Sequence, residues 1–483
     1  MRVLGRRVIA ILCAGLIALA ASRGAAPLGP PGPPGLVPHE VTLPMDDGVN
    51  LAGTLYVPNS SPPDGGWAAI VFFHGLGGKR QDLDRIAHSV AGNLGYVALA
   101  FDARGHGQSG GLVSIDGPTE MADTRSVYNW LAAQPNVNPQ RIGAWGVSLG
   151  GGAVLRSLVE GVPWKAVEVL ETWTDLYGAL APQNLSKSGA IYGLLSSVPE
   201  SRRDLTLKAI EQDALASRNQ AVLRAWAAQR STRSMLSKIK TPIYFFQGRR
   251  DFAFDIAEAT AGYRLVKGPK RLYIGNFGHS PSTFPGPDIG FVTLEGRDWF
   301  DRYLWGRSYY EPHPPVTVAA IPHHGKPRSA RSLPKTKQLS FALGGRDALS
   351  SSTKATRTSH PLRTKVETFG SAHVRVKARL SGGWSRLVAV LTAKPRRGPE
   401  IVVSEGGIKT SAMSGTHTLT IRMIDDATVI PRGSTLTLTF ASNSLAQDPN
   451  NLLYLDLPMA PTARISLGRA QLTLPILRKP ISR

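Results

Sequence analysis

Three residue types that together make a nucleophile, its base and an orienting acid occur in a fixed order along the middle of the chain. Ser148 stands in Gly146-Val147-Ser148-Leu149-Gly150, Asp251 in "TPIYFFQGRRDFAFD" and His279 in "YIGNFGHSPS". A serine hydroxyl attacks a carbonyl only when an imidazole takes its proton, and the imidazolium then needs a carboxylate at its other nitrogen. The G-x-S-x-G pattern is a common chance match, so its context decides. Here the apolar run Ile142 to Trp145 reads as a strand ending just before Ser148, and a helical pattern begins at Leu149. So tight a turn strains the serine and demands small residues at 146 and 150. It also aims the N–H groups of the first helical turn at the reacting carbonyl.

On a sheet with that junction the partners follow in the order serine, acid, histidine. His74 and His106 precede Ser148 and are excluded by order. His279 lies in the loop after the last buried run, Arg271 to Ile274, whereas His313 and later histidines fall beyond the sheet domain. Asp251 follows the run Pro242 to Gln247 by four residues. Asp255 is the second candidate acid, with a helix N-cap as its simpler role. The loop "HGLGG" after Ala68 to Phe73 offers the N–H of Leu76 as one oxyanion donor and the helix start offers that of Leu149 as the other. Trp173 and Asp175, after the run 166–170, are candidates for the substrate pocket. No zinc-ligand spacing occurs, and this chemistry calls for neither a metal nor an organic cofactor.

The elements that must position these groups are legible as a rhythm. His39 to Pro44 and Leu51 to Val57 read as a hairpin, and six later apolar runs of strand length alternate with helical patterns. That alternation predicts an α/β fold with a doubly wound, mostly parallel sheet. About 70 residues of amphipathic helical sequence interrupt it, and residues 173–238 are expected to cap the carboxyl ends of the strands. Beyond about residue 313, short alternating runs such as "AHVRVKARL" and "STLTLTF" predict an antiparallel β-sandwich, with Arg375, Lys377 and Arg379 on its solvent beat. The expected division is 1–26, a 27–38 linker rich in Pro and Gly, 39–312 and 313–483.

Arg2, Arg6 and Arg7 precede a 14-residue apolar run, Val8 to Ala21, with Ala18-Leu19-Ala20 as a cleavage site. This reads as a bacterial-type secretory signal, too short for the roughly 20 residues that span a bilayer. The one cysteine, Cys13, lies inside it, so the exported protein is expected to carry no disulfide and no stable membrane span. The last 163 residues hold 25 Lys and Arg against 8 Asp and Glu, +17 of the net +22. Acidic cell-envelope polymers are the partners such a surface suggests, while the absence of zinc-finger spacing or interleaved aromatic and basic runs argues against nucleic acid.

Several stretches together carry a family resemblance: "FDARGHGQSGG", "GVSLGGG", "FFQGRRDFAFD", "RLYIGNFGHS", "DWFDRYLWG", and in the tail "ETFGSAHVRVKARL", "IPRGSTLTLTFAS" and "ARISLGRAQLTLPIL". The chain resembles the Xaa-Pro dipeptidyl-peptidase and cocaine esterase family of serine hydrolases over most of its length. That resemblance implies an α/β-hydrolase domain followed by a jelly-roll domain, with Ser148, Asp251 and His279 as the triad. Members of the cocaine esterase type place a tyrosine in the oxyanion loop, where this chain has His74-Gly75-Leu76. The expectation is therefore an exported or envelope-associated serine hydrolase acting on a small ester or short peptide. A dipeptidyl-peptidase would need carboxylates for a free amino terminus, for which Glu171 and Asp175 are the candidates. The rival of another class is an envelope-binding protein with a vestigial hydrolase domain.

Overall fold

The computed structural model of the chain describes residue 36 and residues 38–307, 314–321, 328–444 and 452–481. The stretch expected to be a secretory signal and nearly all of the expected linker lie outside the described residues. Among the described residues no helix is long and apolar enough to cross a membrane.

Ten strands form the first sheet: β1 (His39–Pro44), β2 (Asn50–Tyr56), β3 (Trp67–Phe73), β4 (Val97–Phe101), β5 (Val137–Val147), β6 (Val167–Leu170), β7 (Ile243–Gly248), β8 (Lys270–Gly275), β9 (Val316–Val318) and β10 (Arg328–Ala330). Their order is β1-β2-β4-β3-β5-β6-β7-β8-β9-β10. The pairs from β4 to β9 are parallel, and the β1–β2, β2–β4 and β9–β10 pairs are antiparallel. All seven residues of β3, "WAAIVFF", are buried. The reason is that both faces are covered: Ala69, Val71 and Phe73 enter the core on one face, and Ala68, Ile70 and Phe72 the core on the other. This is the α/β architecture read from the alternation of runs.

The second domain is a sandwich. Its strands are β11 (Thr336–Leu343), β12 (Asp347–Leu349), β13 (Ala355–Thr358), β14 (Val366–Glu367), β15 (Gly370–Ser381), β16 (Arg386–Lys394), β17 (Ile401–Lys409), β18 (Gly415–Asp426), β19 (Val429–Ile430), β20 (Thr435–Ala441) and β21 (Arg464–Leu477). One sheet runs β11-β21-β15-β18, the other β13-β20-β16-β17. On β15, Val374, Val376, Ala378 and Leu380 point into the core between the sheets while Arg375, Lys377 and Arg379 are exposed, as period-two alternation requires.

The boundary expected at residue 312 is corrected. Residues 316–330 supply β9 and β10, which extend the hydrolase-type sheet, and the sandwich begins at β11. A three-residue strand carries too little periodicity to reveal which sheet it joins.

Candidate active site

Every element of the site follows the carboxyl end of a parallel strand, where ligands bind in such sheets. Ser148 succeeds β5 directly and the helix Leu149–Val159 starts one residue later. Its backbone is held at φ 54°, ψ −116°, a strained conformation for a residue with a Cβ. Two glycines make the turn possible. A Cβ on Gly146 would lie 2.3 Å from the Gly150 carbonyl oxygen, and one on Gly150 would lie 2.3 Å from that of Phe73. Those contacts are with backbone, which cannot swing away, so Gly150→Ala is expected to cost about 1–3 kcal/mol or more. Thermal unfolding of the variant measures it, and an unchanged midpoint would contradict the packing described.

The three sequence-predicted residues meet. Ser148 Oγ lies 3.0 Å from His279 Nε2, and His279 Nδ1 lies 2.7 Å from Asp251 Oδ2. Asp251 is 1% exposed, and its Oδ1 accepts from the N–H groups of Ala253 (3.0 Å) and Phe254 (2.9 Å). These bonds fix the carboxylate with one oxygen free for the imidazole. The loop of His279 passes so close that a Cβ on Gly278 would sit 3.1 Å from that of Asp251, at a φ of 131° that favours glycine. Phe254 packs edge-on against the imidazole at 5.3 Å. Asp255, the second candidate acid, caps the helix Ile256–Leu265 through the N–H of Ala257.

Leu76 and Leu149 both line the cavity onto which Ser148 opens. Leu149 is the first residue of its helix, so its N–H has no acceptor within that helix. The loop bearing Leu76 is braced from behind. His74 is buried, its Nδ1 lies 2.7 Å from the Gly75 carbonyl, and its Nε2 accepts from Ala103 N–H at 2.9 Å. Burial lowers its pKa, which keeps the ring neutral and suited to this bracing.

The two pocket candidates part ways. Trp173 lines the cavity and anchors its indole N–H on the Arg230 carbonyl at 2.8 Å. Asp175 is corrected: its carboxylate accepts from Gly178 N–H at 3.0 Å, capping the short helix Leu176–Leu180, and lies 3.5 Å from Arg233. Asp175 does not line the cavity, because capping turns its side chain back along its own helix.

Glu171 has a different place from the one expected. It follows β6 at φ 51°, is 1% exposed, and a carboxyl oxygen of it, one of Asp251 and a ring nitrogen of His279 lie within 4.8 Å of one another. Such a trio could share an ion, although both imidazole nitrogens already face Ser148 and Asp251. Glu171 Oε1 is buried with no hydrogen-bond partner. Burial first, and the Asp251 charge second, push its pKa well above the usual 4.5. The folded chain therefore keeps a proton that the unfolded chain releases above that value, and this group's contribution to stability falls as pH rises from there through the folded pKa. Glu171→Gln, isosteric and uncharged, is expected to remove that slope, at most about 1.4 kcal/mol per pH unit. Urea unfolding of both proteins between pH 4.5 and neutrality measures it; parallel curves would show that Glu171 ionises normally.

The loop carrying Asp251 is also gripped by the sandwich, which sequence reasoning missed. Arg249, 1% exposed, pairs with Glu367 of β14 and donates from Nε to the Ala427 carbonyl at 2.9 Å. Ala427 N–H returns a bond to the Arg249 carbonyl at 2.9 Å, and Asp425 N–H donates to Asp255 at 3.0 Å. Phe252 packs with Val388 and Val390, which lie on the outer face of β16. From the cap, Lys187 Nζ donates to the carbonyls of Phe252 (2.8 Å) and Ala253 (3.1 Å).

The arrangement has relatives. Residues 47–281 match the family model described as X-Pro dipeptidyl-peptidase (S15 family). A CocE/NonD family hydrolase from Staphylococcus aureus is similar in structure, with a TM-score of 0.72 at 16% identity over 92% of this chain and 94% of that one. An alpha-amino acid ester hydrolase gives 0.66 at 16% identity over 91% and 96%. At such identity these likenesses speak for the two-domain fold. Among curated proteins, a thiohydrolase of Aspergillus aculeatus is 30% identical over 118 residues, 24% of this chain and 36% of that protein, so this chain spans little more than a third of that relative. The chain is thus similar to hydrolases of the X-Pro dipeptidyl-peptidase (S15) family across residues 47–281, just under half of its length.

Proposed function

We propose that this chain is an exported serine hydrolase that cleaves an ester or amide acyl bond through an acyl-enzyme. The observation that carries the reading is a strained serine within hydrogen-bond reach of an imidazole that is itself paired with a buried carboxylate. With its proton on Nδ1, held by Asp251, His279 presents a lone pair at Nε2. It takes the Ser148 proton as Oγ attacks the carbonyl, and Asp251 stabilises the imidazolium. The N–H groups of Leu76 and Leu149 hold the oxyanion. His279 then protonates the leaving group. Water, deprotonated by the same imidazole, releases the acyl group and restores Ser148.

An ester fits this cavity better than an Xaa-Pro peptide with a free amino terminus. The one acidic residue among those lining it is Glu211, and its carboxylate is already bonded to Arg203 at 2.6 Å. Purified protein is tested on a short-chain p-nitrophenyl ester beside Ala-Pro-p-nitroanilide. Turnover of the ester alone supports an esterase, and cleavage of the anilide would restore the peptidase reading. The basic residues on the exposed beat of β15 suit an acidic envelope polymer, a role separate from the chemistry.

A further inference from the structure

The cavity above Ser148 has walls that are almost wholly apolar. It extends under the whole cap: all four cap helices, Leu176–Leu180, Ser188–Leu195, Leu205–Leu215 and Gln220–Ala228, contribute lining residues. Leu76, Leu149 and Phe254 line it from the strand-end loops around the triad, and Leu180, Leu207 and Leu223 line it from the cap. Cations are absent from the lining, and the one carboxylate is neutralised by Arg203. Two polar atoms on lining residues, Ser186 Oγ and Trp226 Nε1, have no partner, but neither bears a charge and both are shielded.

We infer that this cavity holds the acyl group of the substrate and that the group is an aliphatic chain of medium length, carried as a carboxylic ester or thioester. The inference rests on the serine-hydrolase reading of the same site. An acetyl group bound to Ser148 would not reach the apolar residues of the cap, and a charged or strongly polar acyl group would lose its hydration without gaining a partner. Each methylene moved from water into the cavity adds binding that reaches the transition state as well as the bound substrate. The expected gain in kcat/KM is about three- to fourfold per carbon.

The test uses the full exported chain with p-nitrophenyl acetate, octanoate and benzoate, the last being bulky but short. Over the six added methylenes the expected result is a preference of roughly a thousandfold for octanoate over acetate, with benzoate below octanoate. Ala214→Phe and Ala227→Phe, on two different cap helices, fill the cavity from the roof. Each is expected to lower the ratio of octanoate to acetate turnover about tenfold or more, and a thermal unfolding midpoint shows which of them remains folded for the comparison. If acetate is hydrolysed through Ser148 but the rate does not rise with chain length, or benzoate is preferred, the acyl-chain inference is overturned and the hydrolase stands. If the filling variants fold and leave the ratio unchanged, the chain lies elsewhere and the inference is again overturned. Release of nitrophenol from none of the esters would overturn the serine-hydrolase reading and the chain site with it.

Discussion

Replacing Ser148 by Ala is expected to lower kcat/KM on the best p-nitrophenyl ester by about 10⁴-fold or more while leaving the fold intact. Removing the nucleophile of such a triad eliminates the covalent route, and what remains is the acceleration from oxyanion donors and binding alone. Stability is expected to change little, because the hydroxyl makes one hydrogen bond, to His279, and alanine has the same backbone preference. The strain at φ 54° stays in place. Ser148→Gly is the informative companion: it is equally inactive but tolerates that conformation, so its melting temperature should rise above that of Ser148→Ala. Should Ser148→Ala retain full activity, the nucleophile is elsewhere and the envelope-binding alternative returns. A variant that lost activity only by unfolding would show itself in the same melting curves.

The second large effect concerns the contact between the domains. Arg249 and Glu367 are 1% and 0% exposed, so neither side chain can exchange its partner for water. Glu367→Ala strands the guanidinium in the interior and is expected to destabilise the protein by about 3–5 kcal/mol. Activity should fall as well, since Arg249 stands two residues before Asp251 and its backbone is paired to Ala427 of the sandwich. Replacing both partners by apolar residues, Arg249→Met with Glu367→Leu, should recover much of the stability because no unpaired charge remains. Recovery of stability without recovery of kcat would assign the pair a positioning role toward the Asp251 loop. If Glu367→Ala were as stable as the wild type, the interface would be looser than the buried pair implies. A destabilised Glu367→Ala with wild-type kcat would confine the pair to structural support.

The basic sandwich thus has a structural task that its charge does not advertise. Its exposed cations face solvent, whereas its contact with the site is made through the uncharged outer face of β16, the end of β18 at Asp425 with Ala427 just beyond it, and one buried acid. The stretch "RLVAVL" of β16 is buried at every position for the same reason. Leu387, Ala389 and Leu391 fill the sandwich core, and Val388 and Val390 meet Phe252 of the first domain, so both faces of the strand are buried.

What the sequence by itself determined was local. The strand, serine and helix junction at Ser148 occupies about a dozen consecutive residues, and its glycines are needed for contacts within that junction or with the neighbouring strand. The alternation of runs implied the parallel sheet, and chain order along that sheet pointed to His279 and to Asp251 ahead of Asp255; the structure brings His279 and Asp251 beside Ser148. Only the tertiary structure decided what depends on direction over one or two residues, or on partners far away in sequence. Glu171 and Asp175 follow the same strand within five residues, and one turns inward at a positive φ while the other starts a helix and caps it. Composition cannot separate them, because each outcome is set by the backbone the neighbouring strand and cap impose. The placing of β9 and β10 in the first sheet, the pairing of Arg249 with Glu367 across 118 residues, and the continuous apolar space under the cap arise from packing between distant segments. Such contacts leave no periodic trace in the segments themselves, since side-chain alternation records which face is buried and not what buries it.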